Sequence, residues 1–208
     1  MKYRINEIFY SLQGEGHNTG RAAVFVRFAG CNLRCSFCDT EFDSYHEMTA
    51  EEILDAIKSY PAHFIVLTGG EPTLQVDEEF VDLLHQYGYE VAMESNGTRP
   101  APRNLDWLTV SPKSRDVWHA ECGMKLPDEL KIVFDEHTDP ESFLTSHFTL
   151  HTSHFTLHTS RKSLLYLQPC DTGDAERNAR ILHCCIEYIK EHPEWRLSLQ
   201  THKLTGIK

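Results

Sequence analysis

Positive charge is scarce in this chain. Its 208 residues hold 20 Lys and Arg against 31 Asp and Glu, a formal net charge of −11 with His neutral. A protein that grips nucleic acid without sequence preference needs a basic face, so that class is excluded. Long apolar runs are also missing: no stretch approaches the roughly 20 residues that a membrane span requires. No secretory signal pattern opens the chain, which makes the cytoplasm the expected location. The cysteine count is seven, an odd number, and three of the seven are clustered, so a disulfide framework is disfavoured. The length suits one domain, residues 1–208, with a sizeable core.

The three clustered cysteines, Cys31, Cys35 and Cys38, lie in GCNLRCSFCDT with the spacing C-x3-C-x2-C. Structural zinc takes four protein ligands in a tetrahedron, and an ordinary cubane cluster takes four cysteines. A triad is one ligand short of either. It can hold three irons of a [4Fe–4S] cluster and leave the fourth open to a small molecule. It can also be part of a zinc site completed from elsewhere, since Cys122, Cys170, Cys184 and Cys185 are present. Otherwise those four are expected to pack as small apolar groups.

Apolar runs alternate with helical patterns. Strands are predicted at Ala22–Phe28, Phe64–Thr68, Glu90–Glu94, Trp107–Val110, Glu129–Phe134, Leu164–Gln168 and Arg196–Gln200. Helices are predicted at Thr49–Tyr60, Asp77–Tyr87 and Asp174–Glu191. The first carries a capping-box pair, Thr49 and Glu52, and an apolar face of Ile53, Leu54, Ile57 and Tyr60. The second turns Phe80, Val81, Leu84 and Tyr87 inward. This alternation implies an α/β fold built on a mainly parallel sheet, open or partly closed like a truncated barrel.

In such a sheet the site lies at the carboxyl ends of the strands. The polar motifs fall there: the cysteine loop, Gly69-Gly70-Glu71-Pro72, Glu94-Ser95-Asn96-Gly97-Thr98, Ser111-Pro112-Lys113 and Gln168-Pro169-Cys170-Asp171. Each alone is compatible with an ordinary turn. One segment stands apart. TSHFTLH occurs twice in tandem, at 145–151 and 152–158, bringing four histidines. On a helix they would share a face able to bind metal. The repeat is read instead as a loop insertion at about 145–160 with no part in chemistry, because long loops tolerate added length.

The triad followed by Gly69-Gly70-Glu71-Pro72 resembles the radical S-adenosylmethionine (SAM) superfamily. More narrowly, Ser11-Leu12-Gln13-Gly14-Glu15-Gly16, Arg27, Cys38-Asp39-Thr40, Glu94–Thr98, Ser111–Lys113 and Gln200-Thr201-His202-Lys203 resemble the 7-carboxy-7-deazaguanine synthase family. The resemblance implies an abbreviated, partly open barrel of mainly parallel strands with few helices. It implies a homodimer that converts 6-carboxy-5,6,7,8-tetrahydropterin to 7-carboxy-7-deazaguanine and ammonia, in queuosine and 7-deazapurine biosynthesis. Hydrogen abstraction from C6 would be followed by ring contraction. The implied cofactors are a [4Fe–4S] cluster, SAM and magnesium, with a flavodoxin- or ferredoxin-type electron donor as partner.

By the same resemblance, Cys31, Cys35 and Cys38 would ligate the cluster and Thr40 would give a hydroxyl to magnesium. Gly70, Glu71, Ser111, Lys113 and Gln168 would hold SAM, with Phe37 near the adenine and Glu94 and Asn96 as further contacts. Gln13, Glu15 and Arg27 would hold the substrate. A carboxylate and a carboxamide can pair with a pterin edge, and an arginine with the substrate carboxylate. A radical SAM glycyl-radical activase shares the triad but not the SLQGEG and CDT motifs as a set. A noncatalytic iron–sulfur or zinc module would need a fourth ligand.

Overall fold

The computed structural model of the protein describes residues 1–38, 40–113, 125–145 and 163–208. Asp39, Cys122 and the tandem repeat from residue 146 onward lie outside the described residues.

Among the described residues nine strands form one sheet. Seven of them run parallel and lie side by side in chain order: β2 (Ala22–Phe28), β4 (Phe64–Gly69), β5 (Glu90–Ser95), β6 (Trp107–Val110), β7 (Glu129–Phe134), β8 (Leu164–Pro169) and β9 (Trp195–Leu197). Each connection steps to the next place in the same direction. Right-handed crossovers of one direction put their helices on one face and leave the other face free. The sheet stays open, with β3 (His46–Thr49) and β9 as its edges.

Among the described residues the helices are α1 (Ala50–Ile57), α2 (Glu78–Gln86), α3 (Glu141–Thr145), α4 (Ala175–Glu191) and α5 (Thr201–Thr205), with a 3₁₀ turn at Pro72–Leu74. Thr49 closes the expected capping box: its hydroxyl accepts from the Glu52 amide at 3.3 Å, and the Glu52 carboxylate accepts from the Thr49 amide at 2.7 Å. Asp77 and Asp174 cap α2 and α4 with the side chain alone, accepting from the Phe80 and Arg177 amides. Tyr60 lies past the end of α1 yet packs against the same core as Ile53 and Ile57, and its ring stacks on Tyr10 with centroids 5.4 Å apart. One residue leaves the face expected of it. Tyr87 caps the C-terminus of α2 and is 63% exposed, because Gly88 at φ +80° turns the chain away there.

Strand alternation divides the core in two. Val24, Val26, Phe28, Ile65, Leu67, Val91, Met93, Leu108, Leu130 and Ile132 face the helices and meet Ile53, Ile57, Phe80, Val81 and Leu84. The intervening residues Ala23, Phe25, Phe64, Val66 and Ala92 make a smaller apolar cluster on the opposite face. Toward the carboxyl ends that face turns polar, with Arg27, Thr68, Glu94 and Lys131. A side-chain period of two produces this split directly.

No strand is expected before Ala22, yet the longest one lies there. β1 (Lys2–Leu12) pairs antiparallel with both β2 and β3. Its register shifts between Ile5 and Glu7. A bulge of that kind reverses the phase of the alternation, which hides the strand from a period-two search. The last strand also differs in extent. β9 stops at Leu197, and Ser198 and Gln200 belong to the site.

Leu67 is fully buried and lies between Val26 and Met93 in the ladder. Leu67→Ala is expected to cost about 2–5 kcal/mol. Thr49→Ala, which removes only the cap, is expected to cost about 1 kcal/mol. Anaerobic urea denaturation of the two variants beside the parent checks the difference.

Candidate active site

The β1–β2 loop is pinned from three sides. At its neck the Gln13 amide donates to the Arg21 carbonyl (2.8 Å) and the Gly20 amide to the Gln13 carbonyl (2.7 Å). The Gln13 side chain accepts from the Gly14 amide at 2.7 Å and donates to Glu94 on β5 at 2.7 Å. The Gly16 amide donates to the Ser198 hydroxyl (2.9 Å), and the His17 amide to Glu129 on β7 (2.9 Å). Thr201, at the start of α5, donates through amide and hydroxyl to the Gly14 carbonyl. Gly16 sits at φ +64°, and a Cβ there would overlap the Glu129 carboxylate, so the loop admits only glycine.

The turn after β4 is equally constrained. The Gly70 amide donates to the Phe28 carbonyl and the Glu71 amide to the Gly30 carbonyl, both at 2.9 Å. A Cβ on Gly70 would strike the Gly30 carbonyl. The close approach that requires glycine here is thus to the backbone leading into the cysteine loop.

Glu71 takes a different place from the expected SAM contact. It is fully buried, and its side chain points into the protein. One oxygen accepts from the Thr73 amide (3.1 Å), the Thr73 hydroxyl (2.6 Å) and the Ser95 hydroxyl (2.8 Å). The other accepts from the Asn96 amide (2.7 Å). Glu71 therefore braces the ends of β4 and β5 against each other. Asn96 in turn donates to Asn32 at 3.0 Å and approaches the Cys31 sulfur at 3.9 Å, while its carbonyl accepts from Thr98.

These elements enclose a cavity of about 480 Å³. Cys31, Cys35, Cys38, Phe37 and Thr40 line it from the cysteine loop. Gln13, Glu15 and Arg27 line it from the β1–β2 side, and Gly70, Glu94, Asn96, Ser111, Lys113 and Gln168 from the strand ends. Of the residues given a role with the cluster, SAM, magnesium or substrate, Glu71 alone has its place outside the lining. Cys170 also reaches the cavity, Cys184 is exposed and Cys185 is buried among apolar groups, where burial pushes its thiol up to about 12. The expectation of buried packing therefore fits Cys185 and fails for Cys184.

Lys131 belongs to none of the sequence motifs, yet it lies at the heart of the site. It stands on the inner face of β7 with its side chain 4% exposed, 2.5 Å from Glu15 and 3.7 Å from Glu94. Gln200 donates to the other Glu15 oxygen at 3.0 Å. The available signal was the alternation in ELKIVF, which places Glu129 and Lys131 together on one face of a buried strand. Burial works against the Glu15 charge, but Lys131, Gln200 and His202 outweigh it and hold the carboxyl at about 2. Burial pushes Lys113 down, and Lys131 adds to that push. Arg27 approaches Glu7 at 3.0 Å and lies over the Phe9 ring at 5.5 Å. Its Nε makes no hydrogen bond of acceptable geometry, so the Glu7 contact is one of charge alone.

Glu129 is the outlier among the carboxylates. Burial raises it to about 7, against the opposing pull of Lys131 and the His17 amide, and one of its oxygens has no hydrogen-bond partner among the described residues. A carboxyl raised in the fold binds its proton more tightly there than in the unfolded chain. Stability from this group is therefore lost as pH rises from about 4.5 to about 7, by an amount on the order of 3 kcal/mol. Glu129→Gln is expected to flatten this part of the stability–pH curve and to be more stable than the parent at pH 8, measured by urea denaturation across pH.

Residues 25–115 match the family model described as the Radical SAM superfamily. That span begins in β2 and takes in the cysteine loop, the glycine turn and the ends of β5 and β6. The chain is 42% identical over 210 residues to the 7-carboxy-7-deazaguanine synthase of Bacteroides thetaiotaomicron, with 100% of both chains covered. It is 40% identical over 232 residues to that of Bradyrhizobium diazoefficiens, again with 100% of both covered. The crystal structure of QueE from Escherichia coli superposes with a TM-score of 0.70 at 29% identity, over 96% of this chain and 94% of that one. The open, mainly parallel sheet, the cysteine loop at its carboxyl edge and full-length likeness to these relatives place the chain in the 7-carboxy-7-deazaguanine synthase family of radical SAM enzymes, which use a [4Fe–4S] cluster and SAM.

Proposed function

We propose that the cavity converts 6-carboxy-5,6,7,8-tetrahydropterin to 7-carboxy-7-deazaguanine and ammonia. One observation carries this: the cysteine triad, the glycine turn and the Gln13–Glu15–Arg27 set open on a single cavity of about 480 Å³. The donor set suits a cluster with an open iron, since three thiols from one loop face a space bounded by Gly70, Ser111 and Lys113. When bound, the cluster and SAM supply the electron and the adenosyl radical that takes hydrogen from C6, after which the ring contracts.

The chain's own residues do the positioning. Cys31, Cys35 and Cys38 would ligate the cluster. Gly70, Ser111, Lys113 and Gln168 would hold SAM, with Phe37, Glu94 and Asn96 around it. Gln168 accepts from the Ser198 hydroxyl at 2.9 Å, which leaves its amide nitrogen for a ligand. Glu15, ionised and fixed, would accept from the amino and amide edge of the pterin beside Gln13. Arg27 would pair with the substrate carboxylate. Thr40 would offer its hydroxyl to magnesium, an ion that takes few protein oxygens. A low-potential flavodoxin or ferredoxin would deliver the electron, and a homodimer and a cytoplasmic setting complete the proposal. Among the described residues no helix is long and apolar enough to cross a membrane.

Anaerobic incubation with SAM, dithionite and 6-carboxytetrahydropterin is expected to give deazaguanine product and ammonia. SAM cleavage that remains uncoupled under every condition would sink the proposal. Cys35→Ala is expected to lose the full iron complement and all turnover, measured by iron analysis and product assay. Arg27→Ala is expected to raise the pterin KM about tenfold to a hundredfold, the scale of a lost charge-assisted hydrogen bond. Arg27→Lys should recover only part of this, because a point charge does not replace the planar fork.

A further inference from the structure

Three carboxylates from three elements converge on Lys131. Glu15 comes from the β1–β2 loop, Glu94 from β5 and Glu129 from β7 itself. Lys131 touches the first at 2.5 Å and the second at 3.7 Å, and all three favour its charged form. The other groups facing Glu15 are Gln200 and His202; Lys113 lies within electrostatic reach of Lys131. A carboxylate with only 15% of its side chain exposed keeps its charge when a cation sits against it and tends to take up a proton when that cation is removed.

We propose that Lys131 is a positioning residue for pterin recognition: it holds Glu15 ionised and aimed into the cavity so that Glu15 accepts hydrogen bonds from the substrate. The proposal rests on the pterin reading given above. Lys131 acts through Glu15 and needs no contact with the substrate. Glu94, held by Gln13 at 2.7 Å and by Lys131, links the same cation to the second recognition side chain. The loop is thus fastened from below by one ammonium group. Protonation of Glu15 would turn an acceptor into a donor facing the amino edge of a pterin, and binding would weaken.

The test uses the oxidised holoenzyme and its Lys131→Met variant. Three quantities are measured: iron content, the pterin Kd from about pH 6 to 9, and the Glu15 carboxyl titration. The titration is followed by ¹³C-carboxyl NMR, with the signal assigned by Glu15→Gln. The parent is expected to show a Glu15 ionised throughout, so that any change in its Kd over this range follows Glu129, which titrates near 7, and not Glu15. Lys131→Met is expected to keep its iron, to raise Kd by about tenfold or more at pH 7, and to recover affinity as pH rises and Glu15 ionises. A Glu15 that stays ionised in Lys131→Met, or a Kd equal to that of the parent throughout, overturns the proposal. Loss of iron in step with loss of pterin binding marks a structural role and also overturns it.

Where Lys131→Met fails to fold, the double variant Lys131→Met/Glu15→Gln removes both buried charges together. It is expected to bind pterin as weakly as Glu15→Gln alone. A further loss of about tenfold would mean that Lys131 acts directly, and the proposal would fall. A parent enzyme that cleaves SAM and yields no deazaguanine overturns the pterin reading. The Glu15 titration then still decides whether Lys131 keeps that carboxylate ionised, separately from what binds there.

Discussion

A strand buried on both faces must satisfy two environments with alternate residues. The parallel strands β2, β4, β5 and β7 meet that constraint in the same way. Residues such as Val26, Leu67, Met93 and Ile132 serve the helices, and their neighbours Arg27, Thr68, Glu94 and Lys131 serve the cavity. Shifting β2, β5 or β7 by a residue would put a charge under the helices and an apolar side chain in the cavity. The register of the core and the position of the polar groups are therefore one fact. The ladder that pairs Val26 with Leu67 also sets Arg27 beside Thr68, and the one that pairs Leu67 with Met93 fixes the phase of Glu94.

The loops then hang on backbone contacts. Glu71 joins β4 to β5 by filling both of its oxygens with Thr73, Ser95 and Asn96. Asn96 reaches on to Asn32, inside the cysteine loop. The glycine turn hydrogen-bonds the carbonyls of Phe28 and Gly30 directly before Cys31. Three sequence motifs that are far apart in the chain thus act as one rigid piece around the triad. A loop with three cysteines has little apolar material to hold it, and this chain of hydrogen bonds from the strand ends takes the place of a local core.

Much of this was legible in the sequence, and the gaps have physical causes. The parallel strands showed as short apolar runs, and the helices showed through their caps: Thr49, Asp77 and Asp174 each do what their side chains suggest. β1 was hidden because its bulge near Ile5 breaks the alternation. The site motifs were legible as a set because glycine and polar residues at five strand ends have one topological reason to converge. The role of Glu71 was not, because a carboxylate beside two glycines looks the same whether it faces a ligand or a neighbouring strand. Lys131 was missed for the opposite reason. A lysine inside an apolar strand has meaning only through partners 37 to 116 positions away, and those pairings are a property of the fold.

Charge balance ties these parts to the chemistry. Before any ligand enters, Lys131 has Glu15 and Glu94, and Arg27 has Glu7. An unpaired charge in such a place would be costly, and each of these is paired. The two pairings differ in kind. Lys131 lies against Glu15 at 2.5 Å with a hydrogen bond, a contact that holds its geometry. Arg27 is near Glu7 with no hydrogen bond at its Nε, a contact that yields to a better acceptor. A carboxylated ring system fits that difference. Its amide edge needs a fixed acceptor, which the Lys131–Glu15 pair supplies. Its carboxylate needs a cation whose present partner can be exchanged, which Arg27 supplies. Binding would then replace one ion contact by another and leave the buried charge count balanced, while the recognition edge meets an acceptor that is already in place.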